Sequence, residues 1–427
     1  NYFLCDLPVP TPNLNQFGLR QDVGGGMPLD LDGDGYEDFL MHPQYNDSDN
    51  WDTFTTIPTS FEMYMYRDGG FVYEDLIVSN YPDFKMYLCN KIIPGDFDND
   101  GDVDMFLSGT GPDVAPLIGE QSYILENNYS TDGTFFAHPV GPSDGYLHHS
   151  ATGDLDNDGD LDIMIPRNRN NFLINNGGFN FTAKDGINVV RDSDIENINN
   201  SNYNYYSDGI GFGNISPSTN YLAISDLNND TYDDIIVANV EIVIYIENFL
   251  NNSSYYSPLG NLIGSPFILW GTSQGEYSVD NMTVLPIVEK FMSPQGVVTY
   301  DYDNDGDKDI LITRIGLSEI DINNGDDFEN RYEYLVQTNR GWGYYLQLLR
   351  NDGEEGFTEV SNIIDDYYDI VYQANADGCA DTAKRARPIF SDVDEDGFVD
   401  LVHTFPLGGY YFRWEWNGSR FDLIESP

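Results

Sequence analysis

The chain has 427 residues, of which 72 are Asp or Glu and only 19 are Lys or Arg, giving a formal net charge of −53 at pH 7. This balance argues against nucleic acid as a partner, because phosphate backbones are bound by clustered basic residues. Apolar residues make up 40% of the chain, enough for a large core, yet no unbroken apolar run is long enough to span a membrane as a helix.

Six acidic segments recur along the chain, and each is followed by two or three apolar residues. In chain order they read DLDGDGYEDFLM, DFDNDGDVDMFL, DLDNDGDLDIMI, DLNNDTYDDIIV, DYDNDGDKDILI and DVDEDGFVDLVH, starting at Asp30, Asp96, Asp154, Asp226, Asp301 and Asp392. Carboxylates at positions 1, 3 and 5 of such a loop can surround Ca²⁺, with Gly at position 6 providing a sharp turn. An EF-hand ends with Glu at position 12 on a helix, whereas here the last acid stands at position 9, before a short apolar run typical of a buried strand. We therefore predict calcium loops between pairs of strands.

The predicted ligands are the side chains at positions 1, 3, 5 and 9 and the main-chain carbonyl of position 7. They are Asp30, Asp32, Asp34, Tyr36 and Asp38; Asp96, Asp98, Asp100, Asp102 and Asp104; Asp154, Asp156, Asp158, Asp160 and Asp162; Asp226, Asn228, Asp230, Tyr232 and Asp234; Asp301, Asp303, Asp305, Asp307 and Asp309; and Asp392, Asp394, Asp396, Phe398 and Asp400. In the fourth loop Asn228 replaces an acid and Thr231 stands where the turn favours Gly. The prediction is five strong Ca²⁺ sites and a weaker sixth site in the fourth loop.

The loop starts are 58 to 91 residues apart, which leaves room for a four-stranded sheet in each interval. Third-strand signals with alternating apolar residues are FEMYMYRDGG, QSYILENN, NFLINNGG, EIVIYIENF, YYLQLLRNDG and YYFRWEWNG. Regular units of this kind predict an all-β β-propeller of six four-stranded blades, with a seven-bladed ring containing one divergent blade as the alternative. The predicted single domain covers 1–427, with an N-terminal extension at 1–14 and blades at about 15–80, 86–140, 146–186, 208–260, 282–362 and 386–427.

The first unit contains QFGLRQDVGGGMPLDLDGDG and the fourth contains GIGFGNISPSTNYLAISDLNND, so both place an FG pair before the acidic loop. In this order the units resemble the FG-GAP/VCBS repeats of integrin-α-like calcium-binding β-propellers. The resemblance extends over nearly the whole chain and implies an extracellular protein. It also makes plausible a ligand face opposite the calcium loops.

Long insertions are predicted at 41–59, 109–120, 183–221, 315–343 and 361–388, all in connections at the sheet ends away from calcium. Their aromatic and basic side chains are candidate ligand contacts, with packing of the loops or pairing with the protein's own acids as the alternative. The candidates are Trp342, Tyr344, Tyr334, Trp51, Tyr205, Lys384, Arg385 and Arg387.

Three cysteines are too few for a disulfide framework. A bridge between Cys5 and Cys379 could fasten the first blade to the last one, and buried thiols are the alternative. Sequons such as those at Asn46 and Asn128 are compatible with glycosylation.

These features predict a secreted or surface-displayed recognition and adhesion module that binds a glycan or a surface protein, alone or within a larger surface assembly. Two alternatives stay open: a polysaccharide-active lyase or hydrolase built on a calcium propeller, and a structural surface-layer or filament subunit. No catalytic residue is assigned. The segment GTSQG around Ser273 matches the G-x-S-x-G pattern of a nucleophile elbow, but it lacks the strand before it and the helix after it that an elbow requires.

Overall fold

The structure, a computed structural model, is an all-β fold of the β-propeller type. It describes residues 20–36, 38–46, 56–67, 70–112, 119–145, 147, 150–165, 172–184, 222–238, 266–278, 281–286, 293–316, 343–364, 388–391, 398–404 and 411–424. Within these ranges the strands form six antiparallel sheets of blade topology, in which strands a, b, c and d follow one another in chain order. The predicted fold class of six four-stranded blades is therefore confirmed.

The first three sheets contain strands β1 to β13. Their bounds are β1 Arg20–Leu29, β2 Asp38–Asn46, β3 Thr56–Ile57, β4 Glu62–Arg67 and β5 Gly70–Asp75; β6 Cys89–Gly95, β7 Asp104–Gly109, β8 Glu120–Asn128 and β9 Thr134–Gly145; and β10 Ala151–Gly153, β11 Asp162–Met164, β12 Phe172–Asn175 and β13 Phe181–Lys184. The short β3 pairs with β2 beside the four main strands of the first sheet, and the one-turn helix α1 Tyr129–Asp132 joins β8 to β9.

The last three sheets contain strands β14 to β25. Their bounds are β14 Leu222–Ser225, β15 Asp234–Val237, β16 Phe267–Leu269 and β17 Met282–Val284; β18 Ser293–Tyr300, β19 Asp309–Gly316, β20 Gly343–Asn351 and β21 Phe357–Glu359; and β22 Pro388–Ser391, β23 Asp400–Thr404, β24 Tyr411–Trp416 and β25 Phe421–Ile424. Two short 3₁₀ turns, Gly353–Glu355 and Ser361–Ile363, flank β21. Among the described residues there is no helix with the length and apolarity that a membrane span needs.

The burial of the strands follows their composition. The b strands begin with the position-9 Asp and continue as unbroken apolar runs, and β7, β11 and β15 are buried at every residue. Such runs suit a strand that is covered on both faces. The d strands β5 and β13 contain both apolar and polar residues, and every residue in them is exposed or half-buried. Each acidic loop therefore leads into the buried part of its sheet.

The chain divides into two compact units, the first of residues 1–187 with 273–275 and the second of 188–272 with 276–427. In the first unit one apolar cluster joins sheets one and two, around Met63 and Leu107, and another joins sheets two and three, around Phe106 and Ile163. In the second unit the corresponding clusters join sheets four and five, and sheets five and six. Within each unit the core thus lies between the faces of successive sheets.

A buried histidine adds a polar contact to the core of the first unit. The Nδ1 atom of His42 accepts a hydrogen bond from the Cys89 N–H, and Nε2 lies 3.0 Å from Thr59 Oγ1 and 3.2 Å from the Met86 carbonyl oxygen. Burial lowers the pKa of His42 to about 4, so the ring is neutral at pH 7. Cys89 is a buried thiol whose Sγ donates to the Lys91 carbonyl, while Cys5 and Cys379 lie outside the described residues.

The fourth sheet extends further along the chain than its predicted boundary at residue 260. The predicted third strand, EIVIYIENF at 241–249, lies outside the described residues, and the strand that pairs with β15 is β16. The fourth strand is β17 at Met282–Val284, so the fifth sheet begins at Ser293 rather than at 282. The reason is length: β16 is a three-residue apolar run between Pro266 and Trp270, which does not stand out beside the longer alternating segment before it.

Candidate metal centre

The acidic loops connect strand a to strand b in their sheets, as predicted. The first five run between β1 and β2, β6 and β7, β10 and β11, β14 and β15, and β18 and β19. The sixth loop precedes β23 and is described only from Phe398 onward, so Asp392, Asp394 and Asp396 lie outside the described residues. Phe398 is exposed and Asp400 is buried.

Two residues in each described loop adopt the left-handed backbone region. In the second loop these are Asn99 at position 4, with φ 61°, and Gly101 at position 6, with φ 96°. The same pair of positions is left-handed in the other loops, at Gly33 and Gly35, Asn157 and Gly159, Asn229 and Thr231, and Asn304 and Gly306. Gly and Asn enter this region at low cost. The sequence analysis missed position 4, although Gly or Asn at that place in five loops was a usable signal.

The acids at positions 1 and 5 hold this backbone in place. In the third loop the Asp154 carboxylate accepts hydrogen bonds from the N–H groups of Asp158 (3.1 Å) and Gly159 (3.0 Å), and Asp158 accepts one from Asp160 (3.0 Å). The same three bonds occur in the other four loops. Part of the acidity thus serves to shape the loop.

The acid at position 9 is buried and links three segments of its sheet. One carboxylate oxygen of Asp162 accepts from the Leu155 N–H (2.8 Å) and the other accepts from the Asn175 N–H at the end of strand c (2.7 Å). Asp38, Asp104, Asp234 and Asp309 make the same pair of bonds. Burial raises the pKa of Asp162 to about 7 although both donors favour the ionised form, because a charge in this place is poorly solvated.

Three carboxylates converge in four of the loops. Oxygen atoms from positions 1, 3 and 9 lie within 4.8 Å of one another in the groups Asp30, Asp32 and Asp38; Asp96, Asp98 and Asp104; Asp154, Asp156 and Asp162; and Asp301, Asp303 and Asp309. The acids of position 5 are not part of these close groups. The structure therefore brings together three of the four predicted side-chain ligands.

The donor chemistry of these groups fits a hard divalent cation. All the converging atoms are carboxylate oxygens, which Ca²⁺ and Mg²⁺ prefer. At position 3 the Oδ1 atoms of Asp156 and Asp303 are buried and have no hydrogen-bond partner among the described residues. Burial and the neighbouring carboxylates raise the pKa of both acids. A cation held between positions 1, 3 and 9 would satisfy these oxygens, and Asp156 or Asp303 would hold it together with the acids at positions 1 and 9.

The fourth loop departs from this pattern. Asn228 occupies position 3, where its Oδ1 accepts from the Asp230 N–H and its Nδ2 donates to the Asp230 carboxylate. Thr231 keeps the left-handed turn with φ 77°, a conformation that is costly for a β-branched residue. Among the described residues this loop has acids at positions 1 and 9 but no third converging carboxylate. Its weaker cation binding stays a prediction.

Neighbouring charges distinguish the other loops. In the first loop the Arg67 guanidinium lies 2.8 Å from an oxygen of Asp32 and 3.8 Å from one of Asp34. Near the second loop the Glu126 carboxylate adds to the effects of burial and Asp100 that raise the pKa of Asp98. In the sixth sheet Arg413 Nε lies 3.3 Å from the position-9 acid. The sequence could not show these partners, because they lie on strands distant along the chain.

The ligand contacts predicted in the insertions are not tested by this geometry. Trp342, Tyr334, Trp51, Tyr205, Lys384, Arg385 and Arg387 lie outside the described residues. Tyr344 belongs to β20, where its backbone is paired with Ile315.

Four-stranded antiparallel sheets, five of which carry a described acidic a–b loop, define a β-propeller with repeated acidic loops that could hold metal ions. Residues 96–165, from the second loop to the end of the third one with its following strand, match the family model described as an FG-GAP-like repeat. Together with the six-sheet fold and the six acidic segments of the sequence, this match supports an FG-GAP/VCBS-repeat β-propeller family. A search of the curated proteins found no match.

Proposed function

We propose that the protein is an extracellular, calcium-stabilised recognition or adhesion module. In this proposal it binds a glycan or a surface protein through the loops at the sheet ends away from the acidic loops. An FG-GAP-repeat propeller is a ligand-binding module in general terms, and the finer assignment rests on the chemistry of the loops and on the position of the long connections.

Calcium is the cation that the loops suit best. Acids at four positions and a main-chain carbonyl provide an oxygen shell that waters can complete to the roughly six to eight ligands of Ca²⁺, whereas Mg²⁺ demands near-ideal octahedral geometry. Five strong sites and one weaker site in the fourth loop remain the expected occupancy. Six divalent ions would offset only part of the net charge of −53.

The position of the long connections is the observation that carries the ligand assignment. In an a–b–c–d antiparallel sheet the a–b loop and the c–d turn lie at one end, and the b–c and d–a connections lie at the other. The longest connections, such as 185–221 before β14 and 317–342 before β20, are of the second kind. Long loops presented by a rigid scaffold are the usual place for binding. The acidic loops then serve stability at the opposite end.

A glycan array tests this proposal directly. The full chain is applied in Ca²⁺ and, in parallel, after chelation, and calcium-dependent binding to a defined glycan class is expected. Replacing Trp342 by Ala should weaken binding at an unchanged melting temperature, because glycines on both sides would let the indole stand clear of the backbone. Tyr300, an exposed aromatic residue at the acidic-loop end of β18, provides the matched control.

The outcomes separate the alternatives. A Tyr300→Ala variant that loses binding while Trp342→Ala retains it would move the ligand to the acidic-loop end and overturn the proposal. A Trp342→Ala variant with a lower melting temperature and unchanged affinity would show that the indole only packs its loop. Binding of a protein from a defined cell surface in place of a glycan would keep the recognition role and change the ligand class.

A further inference from the structure

A buried asparagine connects each of three acidic loops to the loop of the preceding sheet. At the end of β12 the Nδ2 atom of Asn175 donates to the Leu161 carbonyl of its own loop (3.3 Å) and to the Phe97 carbonyl at position 2 of the second loop (2.8 Å). The backbone N–H of Asn175 also holds the position-9 acid Asp162 at 2.7 Å. One residue thus contacts two candidate metal loops at once.

The contact recurs in both units. Asn127 donates to the carbonyls of Leu31 in the first loop and Val103 in the second, and Asn351 donates to those of Leu227 in the fourth and Lys308 in the fifth. All three asparagines are buried. In the sixth sheet Trp416 stands at this place and meets Tyr302, at position 2 of the fifth loop, with ring centroids 4.9 Å apart. The recurrence of this contact in three sheets indicates that it is a regular feature of the repeat rather than a chance contact.

A second contact joins some of the same loops at their tips. Asn99, at position 4 of the second loop, donates to the carboxylate of Asp160 at position 7 of the third loop (2.5 Å). Asn229 in the fourth loop donates in the same way to Asp307 in the fifth (2.8 Å). The first loop has Gly33 at position 4 and so has no side chain for this contact. Loops two and three therefore share two connections, and loops one and two share one of these two types.

We propose that cation binding at neighbouring loops is coupled through these asparagines, with Asn175 as the positioning residue between loops two and three. This proposal rests on the calcium sites of the proposed function. A loop whose carboxylates repel one another is loosely held, and a filled loop fixes Asp162 and with it the Asn175 amide. The fixed amide then orders the Phe97 carbonyl of the second loop, so the second loop loses less conformational freedom when it is filled.

The direct electrostatic effect between the loops acts in the opposite direction. A filled third loop carries less negative charge, which reduces the attraction of the second loop for a cation. This effect does not depend on the Asn175 side chain. A thermodynamic cycle on Asn175 therefore isolates the coupling carried by the hydrogen bonds.

Hydrogen–deuterium exchange of the full chain, titrated with CaCl₂, reports each loop separately through peptides that cover 96–104 and 154–162. The third loop is weakened by Asp156→Asn, a replacement that the fourth loop already contains as Asn228. The calcium midpoint of a loop is the CaCl₂ concentration at which its peptide reaches half of its maximal exchange protection. In this variant the calcium midpoint of the second loop should rise at least about fivefold, which is the lower end of typical coupling strengths. In an Asn175→Ala background the same Asp156→Asn change should shift that midpoint by less than about twofold.

Two further variants keep the test decisive if Asn175→Ala is poorly folded. Asn99→Gly copies Gly33, preserves the left-handed backbone and removes only the tip contact, so it should reduce the coupling in part. Asn176→Ala is the matched control, because among the described residues the amide of Asn176 donates within its own hairpin, to Ile174, Asn180 and Thr182. The full coupling should persist in Asn176→Ala.

The possible failures are distinguishable. The coupling would be overturned if Asp156→Asn left the calcium midpoint of the second loop unchanged. It would also be overturned if Asp156→Asn shifted that midpoint equally with and without the Asn175 side chain. Either result would leave the calcium sites in place. An absence of calcium-dependent protection in all peptides would overturn the calcium assignment and the coupling together. If Asn175 had a merely structural role, Asn175→Ala would raise the calcium midpoints of both loops. The shift that Asp156→Asn causes in the second loop would then be the same with and without Asn175.

Discussion

The fourth and fifth loops lie in successive sheets of the second unit and have nearly the same backbone. Position 4 is left-handed in both, with φ 60° at Asn229 and 59° at Asn304, and position 6 has φ 77° at Thr231 and 100° at Gly306. The acids at positions 1, 5 and 9 accept the same main-chain hydrogen bonds. The shape of the loop is thus set by carboxylates that cap the backbone.

The two loops differ in the side chains that face the candidate ion. The fifth loop brings three carboxylates within 4.8 Å, including a buried oxygen of Asp303 without a hydrogen-bond partner among the described residues. The fourth loop presents the amide of Asn228 at the same place. The acids at positions 1 and 9 belong both to the main-chain hydrogen bonds and to the candidate ion group, so we expect a change at position 3 to alter cation binding while the shape of the loop is kept.

Removal of calcium should give the largest effect and separate the two loops. A site filled at 100 times its dissociation constant stabilises the fold by about 2.7 kcal/mol, so chelation should lower the melting temperature by many degrees. Exchange protection should fall in peptides that cover 301–309 and change little in those that cover 226–234. Restoring CaCl₂ provides the control, and an unchanged melt of a demonstrably calcium-free chain would refute the stabilising role.

Replacement of the position-9 acid should destabilise both sheets. Asp309→Ala leaves the buried N–H groups of Tyr302 and Asn351 without their acceptor, and Asp234→Ala does so for Leu227 and Gly271. Each change should cost about 3 kcal/mol of unfolding free energy in chelator, measured by urea denaturation.

In calcium the Asp309 variant should lose more stability than the Asp234 variant. The control is Asp83→Ala, whose carboxylate is 84% exposed and paired only at the surface with Lys85. Equal losses for Asp309 and Asp234 in calcium would mean that the two loops bind the ion alike.

Swapping the position-3 residues between the fourth and fifth loops should swap the calcium affinities of the two loops. Asn228→Asp adds the third carboxylate to the fourth loop and should lower its calcium midpoint about tenfold, because the charge count of the ligands tunes affinity. Asp303→Asn should raise the midpoint of the fifth loop by a similar factor. Exchange protection of 226–234 and 301–309 during a CaCl₂ titration measures both, and unmoved midpoints would show that position 3 does not face the ion.

Swapping the position-6 residues between the two loops should have the smallest effect on the free energy of unfolding. Thr231→Gly relieves a left-handed β-branched residue and should stabilise the chelated chain by about 1 kcal/mol. Gly306→Thr should cost about as much, and the cost is one of backbone conformation because a Cβ atom at Gly306 meets nothing within 4 Å. Urea denaturation in chelator measures both changes. Unchanged stability in both variants would indicate that the turn tolerates Thr without strain.

Several features were predictable from the sequence alone because their causes are local. Ligand spacing, the Gly turn and the apolar run after position 9 all lie within about twelve residues, the length of the motif, so one segment specifies a loop between two strands. Repetition then indicated six sheets and the propeller fold. The amide at Asn228 and the Thr at 231 were equally readable, since they are departures from a short pattern.

Only the tertiary structure decided which groups meet these loops from elsewhere. One of the two N–H donors for each position-9 acid comes from the end of strand c, 13 residues away for Asp162 and 42 for Asp309. Asn175 and Asn351 donate to carbonyl oxygens 78 and 124 residues away along the chain. β15 pairs with β16, a short strand that the apolar pattern of the sequence did not single out. Local periodicity shows which face of a strand is buried. It does not show which distant strand covers that face, because pairing depends on the packing of the whole sheet.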